Sequence, residues 1–375
     1  MLILFLLAVA FCVYTYAIFP LLLHYKARHR TEASLILPPD LPIVSIVIAA
    51  HNEESNLATK FKTISELSYP ADRLEIVIVS DGSTDATVKM LEAQQKLDAR
   101  FRYSHYEPAK GKPSALNCGV AMATGDYIVF MDARQRVSND AIENLIAALQ
   151  PDDVGAVSGE LMLDASGGES NDVGLYWRYE KWIRLNESRL FSTTGATGAL
   201  YAIARQDFEP HAEDVLLDDF NTPVSLLRHG KRTLFVPQAQ VFDRAESDAG
   251  GEFHRKARTL AGNYQSFSRH LWLFAPTKNP VWWQFISHKV FRLLIPYALL
   301  IAFIASYVGN GWFLSLMFIV QLIFYVIGGL SMLNLITAEN KLINFIKVFL
   351  SLNAAAVVGA LRYFSGRAEV RWKRT

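Results

Sequence analysis

Tyr127-Ile-Val-Phe-Met-Asp132-Ala-Arg134-Gln-Arg136 is the stretch on which the reading of this chain turns. The apolar run from Ile128 to Met131 reads as a buried strand, and it ends on a carboxylate. Gly125-Asp126 before it is a turn signal, and Ser138-Asn139-Asp140 is placed to cap a helix over Ala141–Leu149. In an open α/β sheet, ligands bind outside the carboxyl ends of strands. A charge placed where the core stops is therefore a candidate for function. The structural alternative is that Asp132 merely caps the next turn, so the surrounding chain has to decide.

Upstream, Leu37-Pro-Pro-Asp-Leu-Pro42 is a stiff linker, and Ile43–Ala50 is a near-continuous β-branched run of the kind found in parallel sheets. It ends in His51-Asn52-Glu53-Glu54-Ser55-Asn56, followed by a helix to about Leu67. The pattern then repeats. Strand Leu74–Ser80 meets the polar turn Asp81-Gly-Ser-Thr-Asp85 and helix Ala86–Leu97, and a short strand over Phe101–Tyr106 leads through Lys110-Gly111-Lys112 to helix Pro113–Ala123. Alternating strands and helices predict an α/β fold with a mostly parallel central sheet, its polar strand ends gathered on one rim. Neither G-x-G-x-x-G nor G-K-[ST] follows the first strand, which argues against a dinucleotide enzyme or a phosphate-loop ATPase. The acidic turns point instead to a base, a ribose, or a cation-bridged diphosphate.

Composition sets the compartment. The net charge of +1 and the lack of a basic stripe with interleaved aromatics exclude nucleic acid as the expected partner. Hydrophobic residues make up 51% of the 375, concentrated at the two ends, which is a membrane signature. Cys12 and Cys118 have no metal or disulfide spacing and read as packing residues. Met1–Leu23 lacks the charged start and small-residue cleavage site of a signal peptide and is long enough to anchor. Lys26, Arg28 and Arg30 then predict a cytoplasmic catalytic domain on the inner or plasma membrane. The expected layout is an anchor over 1–24, a linker over 25–41, the α/β domain over 42–245, interfacial helices over 246–286, membrane helices over 287–362 and a basic tail over 363–375. Asn344, Lys347 and Asn353 interrupt the last apolar stretch, Leu342–Leu361, and Arg362, Arg367, Arg371, Lys373 and Arg374 follow it. A final segment that is broken or does not cross is the expectation, since it keeps those charges in the cytoplasm.

Four motifs in order carry a resemblance: Asn52-Glu53-Glu54, Asp81-Gly-Ser-Thr-Asp85, Gly111-Lys112-Pro-Ser-Ala-Leu-Asn117 and Gly125 to Asp132. Over roughly Ile43 to Gly262 the chain resembles the family 2 glycosyltransferases, which have the GT-A fold and include the cellulose, chitin and hyaluronan synthases. The resemblance implies that Asp81 holds the uracil or ribose of a UDP-sugar, with Ala50, Asn52 and Glu53 in the same pocket and Lys112 near the diphosphate. Asp132 matches the first aspartate of the D-x-D element, and so a Mg²⁺ or Mn²⁺ ligand. Arg134 stands where the second aspartate would be; it cannot ligate a metal but can pair with phosphate directly.

In Val215-Leu-Leu-Asp218-Asp219-Phe220, before a helix over Thr222–His229, the resemblance implies that Asp219 is the general base, with Asp218 beside it. A sugar hydroxyl is a poor nucleophile, and a positioned base contributes about 10²–10⁴-fold. Glu213-Asp214 is a competing acidic pair. Thr197-Gly198-Ala199 resembles the segment that shapes the acceptor pocket, where small residues let a sugar ring approach the backbone. Arg255-Lys-Ala-Arg258 resembles the gating segment, with Arg258 on the arginine that contacts the diphosphate and Arg255 in the glutamine position. A basic helix lying on anionic lipid explains the same residues. The function implied is inverting transfer from a UDP-sugar to a growing polysaccharide or lipid-linked acceptor. Few spans for a channel imply a homo-oligomer or an exporter subunit as partner. Single addition to polyprenyl phosphate, and an inactive scaffold subunit, are the alternatives.

Overall fold

The computed structural model describes residues 1–30, 35–164, 173–244, 249–336 and 340–367. Arg371, Lys373 and Arg374 of the expected basic tail lie outside the described residues. The chain forms two compact units, one drawn from Arg30–Gly167 and Glu187–Ala245, the other from Met1–His29, Gly168–Asn186 and Glu246–Ala368.

The first unit is built on an eight-stranded sheet of order β3-β2-β1-β4-β7-β6-β8-β5. Its strands are β1 (Val44–Ala50), β2 (Leu74–Asp81), β3 (Phe101–Tyr106), β4 (Tyr127–Asp132), β5 (Arg136–Val137), β6 (Val154–Asp164), β7 (Leu200–Ala204) and β8 (Arg232–Arg244). Its helices are α1 (Glu54–Ser65), α2 (Thr87–Leu97), α3 (Lys112–Met122), α4 (Ala141–Ala148) and α5 (Asp218–Arg228). Every residue of β1 is buried because both faces are covered. Ile46 and Ile48 pack with Leu57, Ile64 and Ile142 on one side. Val47 and Val79 pack with Ala115, Leu116 and Val120 of α3 on the other. Each such side chain contributes roughly 1.5–3 kcal/mol.

Pairing is parallel across β3-β2-β1-β4, as the alternation of elements predicts. Beyond β4 the sheet is mixed: β7 runs antiparallel to both β4 and β6, while β6 and β8 are parallel. Because β2 and β3 grow outward on one side of β1 and β4 lies on the other, the chain reverses direction between β1 and β4. That switch point opens a crevice at the carboxyl ends, where Ala49 is level with Asp132 and Ala50 with Ser80.

The second unit is helical. Leu2–Ala27, Trp282–Val308, Trp312–Met332 and Lys341–Phe364 are long and apolar enough to cross a membrane. The break expected in the last of these is absent, since Lys341–Phe364 runs as one helix. Its polar residues are accommodated instead. Asn344 and Asn353 are buried, the Asn353 amide donates to the Phe349 carbonyl at 2.8 Å, and Lys347 Nζ donates to Asn334 Oδ1 at 3.2 Å.

Candidate active site

Three strand ends and two helix starts supply the crevice. At the end of β2, Asp81 is fully buried, and its two oxygens accept from the backbone amides of Lys110 (2.7 Å) and Gly111 (2.8 Å). The carboxylate thus pins the turn that launches α3, a task its sequence position did not announce. After β1, Asn52 takes a positive φ of 55°, which asparagine tolerates better than most residues. Its amide donates to Ser83 Oγ at 3.0 Å, and its Oδ1 accepts from the Thr84 amide at 2.8 Å. The first two acidic turns are therefore laced to each other. Ala50 is buried at the crevice floor. Burial pushes the Glu53 carboxyl above its ordinary value; Asp132 adds to the shift, whereas the Asn56 bond and Arg134 oppose it. Glu53, Asp132 and Arg134 thus share one electrostatic neighbourhood.

Lys112 opens α3 and ties the crevice together. Its Nζ donates to Asp132 Oδ1 at 3.0 Å and lies 3.5 Å from Asp218 Oδ2. Burial disfavours its charge, but Asp132, Asp218 and Asp219 outweigh that and hold the ammonium protonated above the usual lysine range. The two aspartates arrive from distant sequence. The Asp132 amide donates to the Ala199 carbonyl at 3.3 Å, extending the β4–β7 pairing and drawing Thr197-Gly198-Ala199 alongside. The Ala196 amide then donates to the Asp219 carbonyl at 2.8 Å.

The helix over Thr222–His229 starts earlier than expected, at Asp218, so Asp218 and Asp219 form its first turn. Negative charge is favoured there by the unpaired N–H groups and the helix dipole. Thr197 is locked by its amide to Ser158 Oγ (2.7 Å) and by its hydroxyl to the Gly159 carbonyl (2.9 Å). At Gly198 a Cβ would lie 2.9 Å from Asp219 Oδ2 and 3.4 Å from Asp219 Cγ. Only a glycine leaves that carboxylate its present position. The competing pair Glu213-Asp214 is exposed.

Arg134 does not stand alone. Its Nη2 donates to Asp243 Oδ2 at 2.6 Å, and Gln135 Nε2 donates to the same oxygen at 3.1 Å. Lys60, fully buried on α1, donates to the Gln135 carbonyl, and burial lowers its pKa to about 8. His211, whose pKa burial pushes below the ordinary histidine value, bonds Thr222 Oγ1 at 3.3 Å. None of Lys60, His211 and Asp243 carries a motif. Only the paired strands β5 and β8 put Val137 opposite Val241, and so Asp243 near the Asp132–Arg136 loop.

Arg255 and Arg258 lie on helix Ala249–Arg269 in the second unit, both exposed. That helix buries Ala257 and Ala261 against Lys341–Phe364, where a Cβ on Gly359 would come within 2.9 Å of the Ala261 amide nitrogen.

A mixed sheet with carboxylates and one lysine gathered at its switch point defines a nucleotide-sugar-binding GT-A fold. The solved mannosyltransferase PcManGT from Pyrobaculum calidifontis, described in complex with GDP-Man and Mn²⁺, shares this fold. It superposes with a TM-score of 0.75 at 20% identity over 97% of this chain and 99% of that one.

Residues 45–209 match the model for glycosyl transferase family 2, which marks that part of the chain as similar to this family. Among curated relatives, the probable glycosyltransferase YdaM of Bacillus subtilis is 40% identical over 125 residues, 32% of this chain and 30% of its own length. The beta-monoglucosyldiacylglycerol synthase of Nostoc is 26% identical over 242 residues, 60% of this chain and 50% of that one. The poly-beta-1,6-N-acetyl-D-glucosamine synthase of Staphylococcus epidermidis is 23% identical over 245 residues, 63% of this chain and 58% of that one. The chain thus spans about half the length, or less, of the first of these relatives.

The donor set can be tested against a divalent cation. Asp132 offers a carboxylate that is only partly shared with Lys112, whereas Arg134 offers none. One carboxylate with diphosphate oxygens and water suffices for Mg²⁺ or Mn²⁺. A D-x-D chelate by two carboxylates does not fit. Among the described residues no group of three His, Cys, Asp or Glu side chains is placed to hold a metal.

Proposed function

We propose that this membrane-associated enzyme transfers a sugar from a UDP-sugar to an acceptor hydroxyl on a growing polysaccharide or a lipid-linked glycan at the cytoplasmic face, with inversion. The observation that carries this reading is the Asp219 carboxylate, set in the first turn of α5 against the bare backbone of Gly198. Asp219 takes the acceptor proton as the acceptor oxygen bonds to the anomeric carbon. The bond from that carbon to the phosphate oxygen breaks, and its electron pair leaves with UDP. Lys112, already held charged between Asp132 and Asp218, offsets the charge that develops on the diphosphate. Asp81, Ala50, Asn52 and Glu53 line the nucleoside side, and Thr197 to Ala199 the acceptor side. Asp132 would hold a Mg²⁺ or Mn²⁺ ion, which supplies further positive charge to the diphosphate.

Support comes from two relatives whose names specify β-linked products, the outcome of inversion at an α-linked nucleotide sugar. Their products are a glycolipid and a polysaccharide, in keeping with an acceptor at the membrane. Full-length protein in nanodiscs, offered a panel of UDP-sugars with Mg²⁺ or Mn²⁺, should release UDP from one of them. Asp219→Asn should lower that rate about 10²–10⁴-fold while leaving UDP affinity intact. Full turnover in Asp219→Asn would exclude it as the base.

A further inference from the structure

The second position of D-x-D is filled by an arginine, and the arginine has a partner placed for it. Arg134 Nη2 donates to Asp243 Oδ2 at 2.6 Å, with the Arg134 side chain 38% exposed and that of Asp243 only 7%. Gln135 Nε2 donates to the same oxygen at 3.1 Å, so two consecutive loop residues converge on one carboxylate. Asp243 Oδ1 is buried and has no hydrogen-bond partner among the described residues. A buried carboxylate with one oxygen unsatisfied is poor value as packing, since such a group costs about 1–3 kcal/mol or more. Breaking even on stability is the best that such pairs usually achieve. Arg134 stands two residues beyond Asp132, whose carboxylate accepts from Lys112 Nζ at 3.0 Å, so the pair lies beside the proposed donor crevice.

Resting on the proposed donor site, we propose that Asp243 is a positioning residue that holds the Arg134 guanidinium as a built-in counter-charge for the nucleoside diphosphate. A guanidinium bonded on one edge to a fixed carboxylate loses little further freedom when it meets phosphate oxygens, and its planar fork matches them. The charge that two aspartates bind elsewhere as a metal ion is then supplied in part by the protein, and diphosphate recognition persists when free divalent cations are removed. The ion pair works as a unit, so either residue alone is without effect on the diphosphate.

Calorimetric titration of the full chain in nanodiscs with UDP and with UMP, in EDTA and in Mn²⁺, tests this. In EDTA the wild type should favour UDP over UMP by about tenfold or more, the scale of a charge-assisted hydrogen bond. Arg134→Gln and Asp243→Asn should each abolish that preference without changing UMP affinity, and the double variant should lose no more than either single one. Asp243→Glu should restore part of it. A clasp that merely fastens β8 to the loop would instead weaken UDP and UMP alike, and that result overturns the proposal. So does a preference that survives in Asp243→Asn, or one that is absent from the wild type in EDTA yet present in Mn²⁺; that last outcome leaves the donor reading standing. If neither nucleotide binds in either medium, the donor reading fails and the inference fails with it.

Discussion

Replacing Gly198 by alanine should separate geometry from stability at the proposed base. The added methyl would sit 2.9 Å from Asp219 Oδ2 and 3.4 Å from both Cβ and Cγ of the same residue. A carbon–oxygen approach of that kind is too short by several tenths of an ångström. The atom that must give way is the far end of one side chain, so the fold absorbs the change cheaply. Gly→Ala substitutions at compatible positions even stabilise by about 0.4–1 kcal/mol through the unfolded state. The same displacement moves the carboxylate that has to meet the acceptor proton. A misplacement of 1 Å costs about 10²-fold, so a shift of a few tenths should lower kcat about tenfold, or 1.4 kcal/mol. UDP release at saturating donor, with a thermal melt on the same sample, reads both quantities. The expected pair is a slower turnover and an unchanged or slightly raised Tm. In an Asp219→Asn background the alanine should add no further loss. Unchanged turnover in Gly198→Ala alone would refute the placement of the base at Asp219.

Two further outcomes test the frame of the crevice. Asp81→Asn leaves one acceptor oxygen for the amides of Lys110 and Gly111, both now bonded to the carboxylate. It should cost roughly 1.5–3 kcal/mol and weaken UDP binding, and a melt or affinity like the wild type's would show that the turn is held by other means. Burial lowers Lys60 from 10.5 to about 8. Between those values the unfolded chain holds a proton that the folded chain has released, so stability rises with pH across that window. Lys60→Met should flatten the rise, measured as the difference in melting between about pH 8 and pH 10. Equal slopes in the two proteins would contradict a buried, displaced lysine.

Much of this architecture is legible in one dimension because it is local. Strand β1 is a β-branched run with no polar interruption, and each of the first turns is a short acidic cluster between a strand and a helix. The four apolar helices announce themselves by length and composition. Hydrophobic period and turn chemistry act over a few residues, so the α/β class and the order of elements could be read directly, whereas the roles expected of Asp81, Lys112, Asp132 and Asp219 came from the resemblance of the motifs around them.

What needed the folded chain is everything joined across long separations. The mixed half of the sheet depends on β7 entering between β4 and β6, and no local propensity encodes strand direction. Gly198 matters because its backbone faces Asp219, and Asp218 because Lys112 reaches it. Lys60 looks like an ordinary helix-surface lysine, and Asp243 like a polar residue at a strand end, until packing buries both beside the Asp132–Arg136 loop. Arg134 shows the division most sharply. The sequence alone determined that a cation replaces a carboxylate there; only the tertiary structure decided that a buried carboxylate from β8 holds it, because ion pairing acts through space and not along the chain.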